Sequence, residues 1–409
     1  MKNLFSTTLF CFIVGLVLSL ATAQIQAKVL TRTSKELKKT KEIQRLVADV
    51  CHKSVVLLGE DSGHGVGETL NIKSELVQIL IDECGFSALM FESPIYDFMD
   101  LERALSAQSA TSEQLADAIG GLWSMTKESD LLVSYLFEKA RQSQLSLFGY
   151  DFQLGGATQL YAQTRLAEEL TSYLHGLNAQ QCQIEISRLS NWQYDEMTPF
   201  DEIRRKSLRI CAEQIQRAVQ KQNSGPSSSA ALMANNFFRF VTALSEQGVD
   251  ADQRELAMRD NIVALRSRLP KNTKIIIWGA TVHAQKLRTI TQTKNLAMDT
   301  IKLSDRDMAV IGFSALSGSH GRPKKSPTIL VSAPEDSLEA KIFVGDKLSQ
   351  LRYVDHDQLK SLGSVSARAK NLSSFEVNNW SQLLDGLIVL REERPPEYTR
   401  GAKPRQLKQ

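Results

Sequence analysis

Glu60, Glu92 and Asp151 each close a short apolar run, and His64 and His283 follow two such runs within a few residues. Carboxylates and imidazoles gathered in this way can orient water, pass protons or hold a metal ion, because a buried carboxylate has to be paired, protonated or metal-bound. The densest stretch is Leu58-Gly59-Glu60-Asp61-Ser62-Gly63-His64-Gly65-Val66-Gly67-Glu68, in which four glycines surround one histidine. That composition gives a tight turn with the imidazole close to exposed backbone amides. It contains neither the G-x-G-x-x-G nor the Lys-Ser/Thr of a phosphate cradle, and Ser62 lacks the G-x-S-x-G elbow of a serine nucleophile. An imidazole, with an ordinary pKa of about 6.5, is the natural base at neutral pH. Activation of water by His64 is therefore the leading chemistry, with metal ligation or simple capping of the turn as alternatives. Glu60 and Glu92 are read as site carboxylates against a structural pair, and His283 as a site residue against a satisfied histidine behind a buried strand. Asp151 can also cap a following helix. His52, His175, His320 and His356 match no motif and are read as surface.

The elements that must position these groups alternate in type. Ser54–Glu60, Phe86–Glu92, Leu145–Asp151, Lys274–Ala280 and Met308–Leu316 read as buried strands. Helical patterns stand between them, such as Ser74–Glu83 with Leu76, Ile79 and Leu80 on one face. Strands separated by helices imply an α/β fold, a mostly parallel sheet flanked by helices. Ligands of such sheets bind beyond the carboxyl ends of the strands, where these residues collect. Thr328–Ser332, Lys341–Val344 and Leu387–Arg391 are short strand candidates, read as antiparallel additions at the sheet edge.

Residues 156–250 show no strand pattern, and the loop Asn223-Ser-Gly-Pro-Ser-Ser-Ser229 breaks them. They predict an all-helical insertion after the third strand, a lid or wall over the cleft, between core segments 24–155 and 251–391. Residues 392–409 are polar and predict a disordered tail. At the other end, Lys2 precedes a twelve-residue run, Leu9–Leu20, that is apolar except for Ser19, and Ala21-Thr22-Ala23 follows. That is the layout of a cleaved signal peptide over residues 1–23, short of the ~20 residues that span a bilayer. The expectation is a secreted or periplasmic protein with no stable membrane anchor after cleavage.

The chain has 409 residues, 42% of them apolar and 23% charged, with a net charge of +3, which excludes a disordered or coiled-coil class and argues against nucleic acid as a partner. Loss of Cys11 with the signal leaves Cys51, Cys84, Cys182 and Cys211, an even number that an oxidising compartment permits to pair. If the first two strands are parallel neighbours, Cys51 and Cys84 sit at one edge of the sheet and a bridge follows; two buried thiols are the alternative. A Cys182–Cys211 bridge needs two adjacent antiparallel helices.

The glycine-rich stretch resembles the signature of the erythromycin esterase family, Gly-Glu-x-(Ser/Thr)-His-Gly-x-x-Glu after the first strand. Five further motifs in order are similar to that family: Glu83-Cys84-Gly85-Phe86 with Phe91-Glu92; Trp123-x-x-Thr126-x-Glu128; Phe148-Gly149-Tyr150-Asp151-Phe152-Gln153; Arg254-Glu255-x-x-Met258-x-x-Asn261; and Trp278 to His283. Phe313 and Asp385-Gly386-Leu387-Ile388 fit as well, so the likeness runs from about residue 54 to 391. It implies an α/β hydrolase of esters, in the best-known members a macrolide lactone, with a small-molecule substrate and no required cofactor. Carried over, His64 is the general base, Glu60 and Glu92 orient it and the water, and His283 is the second histidine. Glu68, Trp123, Tyr150, Asp151 and Arg254 become substrate-side residues. Oxyanion stabilisation falls to His283 or to the backbone amides of the Gly63–Gly67 turn.

Three features depart from the pattern. Asp61, Ser62 and Gly63 separate Glu60 from His64, one residue more than usual, which would rotate the base. No Arg stands between His64 and Glu68. Ala280 and Thr281 replace a histidine and an asparagine. The superfamily also includes metal- and haem-iron-binding proteins, and Glu60, His64, Glu92 and His283 are donors that suit a divalent ion. A small-molecule binding module without turnover is the remaining alternative.

Overall fold

The computed structural model describes residues 40–154, 160–222, 225–246, 251–286 and 307–399. The expected signal peptide, residues 1–23, and residues 400–409 lie outside them. Among the described residues no helix is long and apolar enough to cross a membrane.

The described residues form ten strands: β1 (Val55–Leu58), β2 (Phe86–Pro94), β3 (Ser146–Asp151), β4 (Lys274–Trp278), β5 (Met308–His320), β6 (Thr328–Ile329), β7 (Leu351–Asp355), β8 (Ser364–Ala367), β9 (Glu376–Asn379) and β10 (Gly386–Glu393). The main sheet runs β3-β2-β4-β1-β5-β10-β7, with β6 against β5, while β8 and β9 form a separate hairpin. Every pairing from β3 to β10 along that order is parallel; only β7 and β6 are antiparallel additions. The fold is therefore α/β, a mostly parallel sheet flanked by helices.

Both faces of the sheet are covered, as the unbroken apolar strands require. Val55 and Leu57 of β1 pack into one core with the helices of the 160–267 region, while Val56 and Leu58 face the opposite core around helix Gly67–Cys84. The described part of 156–250 contains helices Leu160–Thr164, Leu166–Thr171, Gly176–Ser190, Glu202–Lys221 and Ser229–Glu246 and no strand.

Four expectations need correction. Lys341–Val344 is no strand: Lys341 and Ile342 end helix Leu338–Ile342, started by the Ser337 hydroxyl accepting from Ala340 N, and Phe343 and Val344 follow in a turn. The run at Leu387–Arg391 is longer (β10) and parallel to β5, because its alternating faces are both buried; the antiparallel edge strand is β7. Residues 392–399 are ordered against the core instead of forming a tail. The buried Glu393 carboxylate accepts from Glu68 N (2.7 Å) and from Thr69 Oγ1 (2.6 Å), filling the role of N-cap for helix Gly67–Cys84, whose own cap residue Val66 has no side-chain acceptor. Lastly, β1 and β2 are not neighbours, since β4 lies between them. Cys51 and Cys84 are nonetheless bridged, as are Cys182 and Cys211. Lys274, the first residue of β4, fills the gap by donating from Nζ to the carbonyls of both Cys51 and Cys84.

Candidate active site

Four strands adjacent in space, β3, β2, β4 and β1, deliver acidic or basic groups to the carboxyl edge of the sheet. Asp151 ends β3, Glu92 lies near the end of β2, His283 sits in helix Thr281–Ala284 after β4, and Glu60 and His64 follow β1. The chain leaves β1, skips a place to lay down β2 and β3, then returns to fill the gap with β4. This reversal is the arrangement in which α/β sheets open a cleft.

The turn after β1 absorbs the extra residue locally. His64 adopts a left-handed conformation, φ 56°. Buried Asp61 braces the turn by accepting from Gly63 N (2.8 Å) and Leu372 N (2.8 Å). The result brings His64 Nδ1 to 2.9 Å from Glu60 Oε1, so the extra residue does not turn the imidazole away from Glu60. A carboxylate only accepts, which makes Nδ1 the donor of this contact and leaves Nε2 facing the cleft. Nε2 stands 4.0 Å from Glu92 Oε1.

Glu60 is fully buried and has three partners. Besides His64 it accepts from Trp123 Nε1 (2.5 Å) and from Lys73 Nζ (2.7 Å), and Lys73 also lies over the Trp278 ring. Burial alone would raise the Glu60 pKa, but Lys73 and His64 outweigh it and hold the carboxyl below its usual range. Trp123 is thus a donor to the site carboxylate more than a wall of the pocket. Lys73 was not singled out in the sequence, although a signal exists. It continues the stripe Leu70, Lys73, Val77, Leu80, Cys84 at helical spacing, and a lysine on the buried stripe of a helix demands an anion.

Around Glu92 the partners differ. Its Oε1 accepts from Arg254 Nη2 (2.9 Å) and lies 3.2 Å from His283 Nε2, and its Oε2 accepts from Ala280 N (2.8 Å). His283 Nδ1 bonds Glu255 Oε1. Burial would lower the His283 pKa, yet Glu92 and Glu255 together raise it to about 10, so this imidazole is a cation at neutral pH. Burial likewise works against Glu92, but His283, His64 and Arg254 hold it well below the carboxylate range. Arg254 is shared with Asp151, Nη2 to Oδ2 at 2.7 Å. Arg254 and Glu255 therefore do not pair with each other. Asp151 neutralises Arg254, with a local bond from Gln153 N and no helix to cap. Gly279 is required here, since a Cβ on it would lie 2.4 Å from Tyr150 Oη and 2.9 Å from Glu92 Oε2.

Two expected substrate-side residues stand elsewhere. Tyr150 is buried, its hydroxyl donating to Trp278 O at 3.2 Å beneath Glu92. Glu68 is half-buried and pairs with Arg394, which also binds Glu128. The backbone amides of the turn are mostly engaged: Ser62 N with Lys370 O, His64 N with Asp61 O and Gly67 N with Arg394 O. Arg254 and His283 bring positive charge to the Glu92 side of the site. His320, read as surface, lies against the turn, its Nε2 3.1 Å from Ser373 Oγ.

The four residues offered as metal ligands do not form a ligand set. Lys73 and Arg254 already occupy the carboxylates that a cation needs, and among the described residues no group of three or more His, Cys, Asp or Glu is placed to hold a metal ion.

The erythromycin esterase family profile matches residues 81–342. The chain belongs to the erythromycin esterase family. It is a hydrolase of that family, and the matched span carries Glu92, Asp151, Arg254 and His283 but begins after the His64 turn. Solved structures agree on the fold. A histidine-to-asparagine variant of the erythromycin esterase EreC, in its open conformation, is 14% identical with TM-score 0.60, over 87% of this chain and 95% of that one. A Bacillus cereus protein is 16% identical with TM-score 0.64, over 91% and 99% of the two chains. A succinoglycan biosynthesis protein is 14% identical with TM-score 0.65, over 92% and 99%. At such identities the likeness concerns the fold alone. No curated protein sequence matches significantly.

Proposed function

We propose that the protein is an exported esterase that opens an ester or lactone bond of a small molecule with a water activated by His64, without a metal or other cofactor. The observation that carries this reading is the His64–Glu60 contact at 2.9 Å with Nε2 left toward Glu92, Arg254 and His283. Nε2 takes a proton from water, Glu60 steadies the imidazolium that forms, and the hydroxide adds to the ester carbonyl carbon. Arg254 and the His283 cation face the negative charge that develops on the carbonyl oxygen. Collapse breaks the acyl C–O bond, and His64 returns its proton to the departing alkoxide. Glu92, held ionised between the two halves, keeps Arg254 and His283 in place and orients the water.

The test is turnover of a panel of carboxylic esters and lactones, macrolides among them, by the wild-type protein and by His64→Ala. Hydrolysis by the wild type that falls roughly 10²–10⁴-fold in the variant is expected. Equal activity in both, or none in the wild type, overturns the role of His64. Near-stoichiometric metal that survives dialysis overturns the metal-free mechanism. Export predicts a mature N-terminus at Gln24 in the extracytoplasmic fraction.

A further inference from the structure

The turn between β5 and β6 carries Arg322, Lys324 and Lys325, and among the described residues none of the three is in an ion pair. The turn is locked onto the His64 turn. Gly321 N donates to Gly65 O at 2.9 Å, and Arg322 Nε donates to Gly63 O at 2.6 Å, one residue before the base. The two chains meet so closely that a Cβ on Gly65 would lie 2.7 Å from Gly321 O. With Nε committed, the guanidinium keeps four N–H donors in a planar fork that matches a carboxylate. The Tyr398 hydroxyl, which feels the Arg322 charge, is shielded from solvent and has no hydrogen-bond partner. Burial pushes that phenol up to about 12, with Arg322 opposing and Glu128 and Glu60 adding, so the hydroxyl lies within electrostatic reach of both the turn and the catalytic carboxylate. Tyr398 is held there by pairing with Thr126, on the chain that follows Trp123.

We propose that this turn is a cationic rim of the cleft and that Arg322 binds a carboxylate carried by the substrate, making the preferred substrate an acidic ester instead of a macrolide. The inference rests on His64 being the hydrolytic centre. It is independent of the Arg254–His283 pair, whose cations are already neutralised by Glu92, Asp151 and Glu255. Lys324 and Lys325 add long-range attraction without fixed geometry, which salt screens.

The probes are 4-nitrophenyl hemisuccinate and 4-nitrophenyl butyrate, which differ in a terminal carboxylate. In the wild type the hemisuccinate is preferred. Arg322→Gln lowers the hemisuccinate-over-butyrate ratio of kcat/KM about fivefold or more, with the loss in KM. Arg322→Lys retains part of the preference, and Arg322→Glu inverts it. An unchanged ratio in Arg322→Gln overturns the proposal while leaving the esterase reading intact. If neither ester is cleaved, calorimetric binding of monomethyl succinate decides. Weaker binding by Arg322→Gln than by the wild type supports the rim although the hydrolytic reading has failed, and equal or absent binding overturns the rim as well.

Discussion

The two histidines of the cleft have opposite environments. His64 has one carboxylate partner, on Nδ1, and its second nitrogen faces the cleft at 4.0 Å from the nearest carboxylate oxygen. His283 is gripped on both nitrogens, by Glu255 on one side and Glu92 on the other, and holds its proton up to a pH of about 10. The same side chain is left with one nitrogen open in one place and fixed as a cation in the other. The carboxylates repeat the contrast. Glu60 answers a lysine and an indole, whereas Glu92 answers a guanidinium and an imidazolium. In the proposed mechanism one face of the site handles the proton and the other the charge on oxygen.

The contrast can be broken at several points. The largest effect belongs to His64→Ala, with kcat down roughly 10²–10⁴-fold. His283→Gln keeps a hydrogen-bond donor but loses the charge, and is expected to cost about 10²-fold in kcat at neutral pH. A steeper loss in His283→Gln than in His64→Ala would reverse the assignment of base and cation. Lys73→Met leaves Glu60 charged, buried and short of its cation, a change that typically costs about 3–5 kcal/mol. Denaturant unfolding should show that loss, and activity should fall with it because the Glu60 pKa rises. Gly279→Ala, whose new Cβ collides with Tyr150 and Glu92, is expected to cost about 1–3 kcal/mol. It should also reduce kcat, since Glu92 must move.

The smallest and most discriminating effect is in pH dependence. His283 is raised from 6.5 in the unfolded chain to about 10, so the stability it contributes is full below about pH 6.5 and is lost as pH climbs toward 10. Glu92 is depressed from 4.5, so its contribution is present above about pH 4.5 and is lost as pH falls through its lower folded value. The Tm difference between wild type and His283→Gln should therefore be greatest near pH 5–6.5 and shrink toward pH 10. A difference that grows with pH would contradict a charged His283.

Much of this was legible because the strand ends advertise themselves. An apolar run closing in Glu60, Glu92 or Asp151 is costly unless the carboxylate has a purpose, and each of these residues does lie at the carboxyl edge. The alternation of strands and helices likewise fixed a mostly parallel sheet. Lys73 and Glu255 were harder to see, since each looks like an ordinary helix residue until its partner is known. The strand at Lys341–Val344 failed for a related reason. Its apolar residues suit a strand or a helix equally, and the Ser337 cap decided for the helix.

The sequence determined which side chains are too costly to bury alone and which segments must be covered on both faces, because burial patterns are written locally along each strand and helix. It could not determine which charge answers which. Order β3-β2-β4-β1 puts Arg254 between Glu92 and Asp151, and it seats Lys274 between Cys51 and Cys84. The C-terminal chain, polar enough to read as a loose tail, caps helix Gly67–Cys84 through Glu393 across the whole fold. The turn at Arg322 reaches His64 only because β5 runs on to His320, well past its last pairing with β1 at Ile311. Such partnerships join residues hundreds of positions apart, and only closure of the sheet brings them within hydrogen-bonding distance.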